Sequence, residues 1–149
     1  MIDESLYRRI VQVLPILCVD VVLRVRGKGV LLVKRGQEPL AGAWWVVGGR
    51  VLHGESATEA ALRKVRAEVG IEIEADALSF LGYYEDKFDV SSFGPGLYHT
   101  LSLVFETVLD EVPPVALDPT STAWTLADRL PDRLVIVPGS PGQSRSSNL

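Results

Sequence analysis

GGRVLHGESATEAALRKVRAEVGI, residues 48–71 from Gly48 to Ile71, is the stretch whose reading decides the fold. Its two leading glycines let a backbone approach a ligand or metal without side-chain obstruction. After a polar loop, Ser56 with Glu59 three residues on forms a helix-start signature. Ala57, Ala60, Ala61, Val65 and Val69 then recur at helical spacing, and Gly70 supplies the stop. The pattern predicts a helix over 56–69. Glu59–Arg63 and Lys64–Glu68 are each four residues apart and so share a helix face. Taken alone, such pairs describe a solvated amphipathic helix and contribute little stability.

Upstream, Asp3 or Ser5 caps a short helix over 3–12, with Leu6, Ile10 and Val11 as its apolar positions and Pro15 beyond its end. The β-branched run Ile16–Val25 is separated by Gly27–Gly29 from Val30–Lys34, which predicts two strands and a tight turn. Residues 36–43 read as loop and 44–47 as a short strand. Downstream, 78–84 and 98–109 have strand patterns on either side of an Asp/Ser/Gly/Pro-rich stretch, 85–96, that reads as a loop. Pro113-Pro114 opens another loop, 122–126 reads as a last strand and 127–130 as a helical turn. Strands, an internal helix and further strands give an α/β sandwich with a mixed sheet. We expect one domain over 1–138 and a flexible tail over 139–149, which has almost nothing to bury.

The chain has 149 residues, 47% hydrophobic and 23% charged, enough apolar surface for a core without disulfides. Fifteen Lys+Arg against nineteen Asp+Glu leave a net charge of −4. That balance argues against a protein held by nucleic-acid phosphates or an anionic membrane, while leaving room for a local basic pocket. Cys18 is the only cysteine, so neither an intrachain disulfide nor a cysteine zinc cluster is expected. With no long apolar run and no signal-peptide layout at the start, the expected location is the cytoplasm.

Gly49, five residues, Glu55, seven residues, Arg63, then Glu68, Gly70 and Ile71 resemble the Nudix box, Gly-x5-Glu-x7-Arg-Glu-apolar-x-Glu-Glu-x-Gly-apolar. The resemblance implies an α/β/α sandwich that hydrolyses nucleoside diphosphates linked to another group, with Mg²⁺ or Mn²⁺. Two of the three helix carboxylates of that pattern are replaced, by Lys64 and Ala67. The GDP-mannose mannosyl hydrolase subfamily has similar replacements. This chain resembles it in Gly48-Gly49-Arg50-Val51, in the Arg63…Ala67-Glu68-Val69-Gly70 helix end, in Asp20 within the first long strand, in Lys34-Arg35 and in His99.

That resemblance implies Gly49, through its carbonyl, and Glu68 as metal ligands. It implies Arg35 and Arg50 as pyrophosphate ligands, Arg63 as scaffold or phosphate contact tied to Glu55, and Asp20 as a sugar contact. It also implies a homodimer, which light scattering would reveal. Guanidinium forks suit phosphate oxygens on chemistry alone. A charge inside a β-branched run must face either solvent or a polar pocket. The subfamily's general-base His has no counterpart in Ala116–Trp124, so a base has to be a carboxylate, with Glu85, Asp86, Asp89 and Asp118 as candidates, or be missing. The reading that follows is a Mg²⁺-dependent hydrolase cleaving a nucleotide sugar to sugar and nucleoside diphosphate. The alternatives are attack at phosphorus of a nucleoside diphosphate derivative, and a catalytically weak nucleotide-binding protein.

Overall fold

The computed structural model describes residues 2–139. Helix α1 spans Glu4–Val13 and is capped by the Asp3 side chain, which accepts from the Leu6 N–H. Strands β1 (Ile16–Val25), β2 (Gly29–Arg35), β3 (Trp44–Trp45) and β4 (Val47–Arg50) follow, then helix α2 (Ala57–Val69) and a 3₁₀ turn at Ala75–Ala77. Strands β5 (Ser79–Ser91), β6 (Gly94–Leu109), β7 (Ser121–Ala127) and β8 (Val137–Pro138) complete the order. The expected tail falls almost wholly outside the described residues.

One mixed sheet runs β3-β2-β1-β6-β5-β8, with β4 added to β1 and β7 to β2. Strand β1 is its centre. It pairs parallel with β6 from Ile16–Thr100 to Val25–Leu109. Along its other edge the first half pairs with β4 and the second half with β2. A strand covered on both faces reads as a continuous apolar run, and β1 does. Val19, Val21 and Leu23 pack under Ala60, Ala61, Val65 and Val69 of α2. Val22 joins Val30, Leu32, Trp45 and Tyr84 on the opposite face.

Helix α2 has the predicted ends. Ser56 and Glu59 form a reciprocal capping box, and Gly70 closes the helix at φ 71°, a left-handed conformation that favours glycine. Gly48 is required for a different reason. It pairs with Asp20 across β1–β4, and a Cβ there would overlap the Val19 carbonyl and the Asp20 carboxylate.

Two expectations need correction. Residues 85–96 are largely strand, because β5 and β6 continue as a long hairpin. Phe88–Tyr98 and Lys87–His99 extend the ladder, and the Phe88 and Tyr98 rings lie 6.3 Å apart. The hairpin tip is tied to α1, with Phe93 edge-on to Tyr7 at 5.3 Å and the Phe93 carbonyl accepting from Arg8. Such cross-strand and tertiary contacts outweigh the turn-forming composition. The helical turn expected over 127–130 is absent, since Ala127 is held in strand by its pairing with Val30.

Candidate functional site

A cavity of about 1030 Å³ lies on the Asp20 side of β1. Alternation along β1 turns Cys18 and Asp20 toward it and Val19 and Val21 away. Strand β2 brings Arg35, β4 brings Gly48, Gly49 and Arg50, β6 brings Thr100 and Ser102, and α2 brings Lys64 and Glu68. Tyr7, Trp45, Tyr84 and Tyr98 supply aromatic wall.

Asp20 is buried, and burial pushes its carboxyl up to about 6, against the opposing pull of the Ser102 and Trp45 side chains and the Arg35 charge. The neighbouring Glu68 adds to the rise. Cys18, also buried, is pushed up to about 12 by desolvation, so it stays a neutral thiol.

Arg35 donates through Nε to the Pro39 carbonyl at 2.6 Å, which fixes its stem and leaves the rest of the fork available. Arg50 lies over the Tyr7 ring at 4.0 Å, a cation–π contact. Tyr7 and Tyr98 share a hydroxyl hydrogen bond of 2.9 Å beside it. Among the described residues neither guanidinium is in an ion pair.

Arg63 is not on the cavity wall. It grips Glu55 at 2.7 and 3.0 Å and donates to the Arg50 carbonyl at 2.9 Å. The pair pushes Glu55 down and Arg63 up in pKa. Through these bonds it fastens the end of β4, at Arg50, and the loop carrying Glu55 to α2.

Glu68 is buried at the far end of α2. Its Oε1 is 2.9 Å from Lys64 Nζ, and its Oε2 accepts from the Gly48 N–H at 3.3 Å. Burial raises its carboxyl, Lys64 opposes the rise, and the nearby Asp118 adds to it. Gly49 gives the Lys64 stem its room, since a Cβ there would stand 2.5 Å from Lys64 Cε.

The fit of a divalent cation is decided by these donors. Mg²⁺ demands near-octahedral oxygen coordination. Among the described residues no group of three or more His, Cys, Asp or Glu side chains is arranged to hold a metal. Glu68 already carries an ammonium, Lys64 Nζ at 2.9 Å. Mg²⁺ or Mn²⁺ held by Gly49 and Glu68, with waters and substrate phosphates completing the shell, needs a free Glu68 oxygen; both are engaged, by the Lys64 ammonium and the Gly48 N–H, so the residues as arranged do not fit the ion.

The four candidate base carboxylates do not line the cavity. Asp86 is held bidentate by Arg133 at 2.5 and 2.7 Å and also accepts from the Tyr84 hydroxyl, so both oxygens are committed. Asp89 is exposed on β5. Asp118 caps a turn by accepting from the Thr120 N–H at 2.9 Å, and its own N–H donates to the Glu68 carbonyl. Glu85 is exposed, 3.6 Å from His99 Nε2. Asp86→Asn should cost about 1 kcal/mol, through the half-exposed Arg133 pair, and leave activity unchanged. Thermal denaturation and a turnover assay on the same variant check this.

Several wall residues went unread. Thr100 and Ser102 carry a signal, because polar and apolar residues alternate from Thr100 to Leu103 and mark one polar strand face. Tyr7 and Tyr98 carry none, since only the docking of α1 on the hairpin brings them together.

The fold and this cleft define an α/β protein with a mixed sheet and a polar cleft beside its central strand. The NUDIX domain family matches residues 15–139, and the chain belongs to that family. It is 37% identical over 111 residues to the low-salt glycan biosynthesis protein Agl8 of Haloferax volcanii, covering 74% of this chain and 69% of that protein. In structure it is similar to a MutT/nudix family protein from Enterococcus faecalis (TM-score 0.64, 23% identity), covering 82% of this chain. This chain spans about half of that protein, 48% of its length. It is also similar to the NUDIX domain of Shewanella oneidensis NrtR, solved with ADP ribose (TM-score 0.61, 18% identity, 84% of this chain and 82% of that one). Nudix hydrolases generally use divalent metals, and a Francisella tularensis neighbour was solved with AMP and a Mn ion. Among the described residues no helix is long and apolar enough to cross a membrane.

Proposed function

We propose that the chain is a hydrolase of a nucleotide sugar, GDP-mannose-like, releasing the free sugar and a nucleoside diphosphate. One observation carries the reading. In a protein of net charge −4, Arg35 and Arg50 reach the same cavity as the buried Asp20, and neither is in an ion pair among the described residues. Two such guanidinium groups suit a diphosphate. The glycan-biosynthesis relative supports a sugar as the attached group.

In this reading water attacks the anomeric carbon and the bond from that carbon to the diphosphate oxygen breaks. The electron pair leaves with the diphosphate, whose growing charge Arg35 and Arg50 neutralise, as fixed dipoles and charges do at developing anions. The proton of the attacking water goes to Asp20. Of the two buried carboxylates on the cavity, Asp20 and Glu68, Asp20 is the one without a cationic side chain bonded to it, and a base with a pKa near 6 suits work near neutrality. This places the base where the resemblance puts a sugar contact, and a carboxylate there serves both the sugar hydroxyls and the water.

A panel of nucleotide sugars, nucleoside triphosphates and other nucleoside diphosphate derivatives tests the reading. Turnover confined to nucleotide sugars is expected. Turnover of triphosphates alone points to attack at phosphorus. Binding without turnover points to the binding-protein alternative, which the loss of two helix carboxylates to Lys64 and Ala67 favours.

A further inference from the structure

Lys64 occupies a position that the Nudix box gives to a carboxylate, and here it does not lie on the surface. Its side chain is 19% exposed and that of Glu68 is 10% exposed, so their 2.9 Å pair is mostly withdrawn from water, unlike an ordinary i,i+4 pair. The Lys64 stem lies across the Gly49 backbone, where a Cβ would be 3.0 Å from Nζ, and both residues face the cavity that holds Arg35 and Arg50. An ammonium has three donors and no acceptor. One is spent on Glu68, which leaves donors for the cavity. Displacing the ammonium with a divalent ion would mean breaking a buried ion pair and placing a dication beside Lys64, and both steps are costly.

We propose that Lys64, held in place by Glu68, is the cation that contacts the ligand's diphosphate where the family uses a divalent ion, so that this chain binds a nucleoside diphosphate without metal. The inference rests on the diphosphate reading above. It also gives Glu68 and Gly49 new roles. Glu68 positions an ammonium instead of ligating a metal, and Gly49 makes room for the lysine stem. Lysine binds phosphate as a point charge, which complements the directional forks of Arg35 and Arg50.

Titration calorimetry of the full chain with GDP and GDP-mannose, in EDTA and in excess Mg²⁺, tests this without any variant. The expected dissociation constants in the two buffers agree within about threefold. Lys64→Gln, shown by its melting curve to be folded, should bind both probes at least about tenfold more weakly in EDTA, the loss expected for a charge-assisted hydrogen bond. Lys64→Glu restores the carboxylate of the box and should gain Mn²⁺ binding, seen by electron paramagnetic resonance, where the wild type shows none. GDP binding that needs Mg²⁺, stoichiometric Mn²⁺ binding by the wild type, or a folded Lys64→Gln with unchanged affinity overturns the inference and leaves the diphosphate reading standing. Failure of both probes to bind in either buffer overturns both.

Discussion

Asp20→Asn is expected to make the protein more stable at pH 7 and to remove most of its activity. Folding raises the Asp20 carboxyl from the ordinary 3.8 to about 6, chiefly by burial. Between those values the folded chain keeps a proton that the unfolded chain has lost, so stability falls as pH rises through this window. Below about pH 4 both states are protonated and nothing is lost. Above about 6 the folded state bears a buried, ionised carboxylate, at a cost on the order of 2–3 kcal/mol. Asparagine escapes that cost and also removes the repulsion between Asp20 and Glu68. The gain in melting temperature should therefore be large at pH 7 and vanish near pH 4. Turnover should drop by about 10²–10⁴-fold, the usual worth of a general base. In the wild type, kcat/KM should rise with pH to a plateau above about 6. Melting curves and rates across that range check all three, and a destabilised but active Asp20→Asn would remove Asp20 from the proposed chemistry.

The second large effect concerns the arginine pair. Arg35 is braced by the Pro39 carbonyl and Arg50 by the Tyr7 ring, so both are set before a ligand arrives. Preorganised forks lose little entropy on binding. Arg35→Ala with Arg50→Ala should weaken nucleotide-sugar binding by about a hundredfold or more, two charge-assisted interactions being lost together. Arg35→Lys and Arg50→Lys keep the charge but not the planar fork, and each should weaken binding by about tenfold. Neither change touches the core, so any stability loss should be confined to the Pro39 and Tyr7 contacts, about 1 kcal/mol. Calorimetry of the double and the two single variants reads the effect, and equal affinities would return both side chains to a surface role.

Much of the fold was legible because its signals are local. Ser56, Glu59 and Gly70 mark the ends of α2 within a turn of where they act. The unbroken apolar run of β1 announces a strand buried on both faces. The β5–β6 hairpin was misread because Gly94, Pro95 and Gly96 carry turn chemistry, while the pairing that keeps 85–91 in strand is with residues further along the chain, out of reach of a local pattern. The site divides in the same way. The spacing that resembles the Nudix box points to Gly49, Glu55, Arg63 and Glu68, while Arg35, Arg50 and Asp20 rest on the subfamily resemblance, with guanidinium chemistry supporting the two arginines. The distinction between Arg63, bound beneath the loop, and Arg50, facing the cavity, depends on which way two neighbouring chains turn. Spacing says nothing about that. The four-residue step from Lys64 to Glu68 is plain in the sequence, but its burial is not, because the Lys64 stem lies in the room left by the bare backbone of Gly49.

The most direct measurement is hydrolysis of GDP-mannose in ¹⁸O-labelled water, with both products weighed by mass spectrometry. Attack at the anomeric carbon, with Asp20 taking the proton and Arg35 and Arg50 holding the departing diphosphate, predicts label in the mannose and an unlabelled GDP. Label in a phosphate product, or no turnover of GDP-mannose or any related nucleotide sugar, would contradict the account.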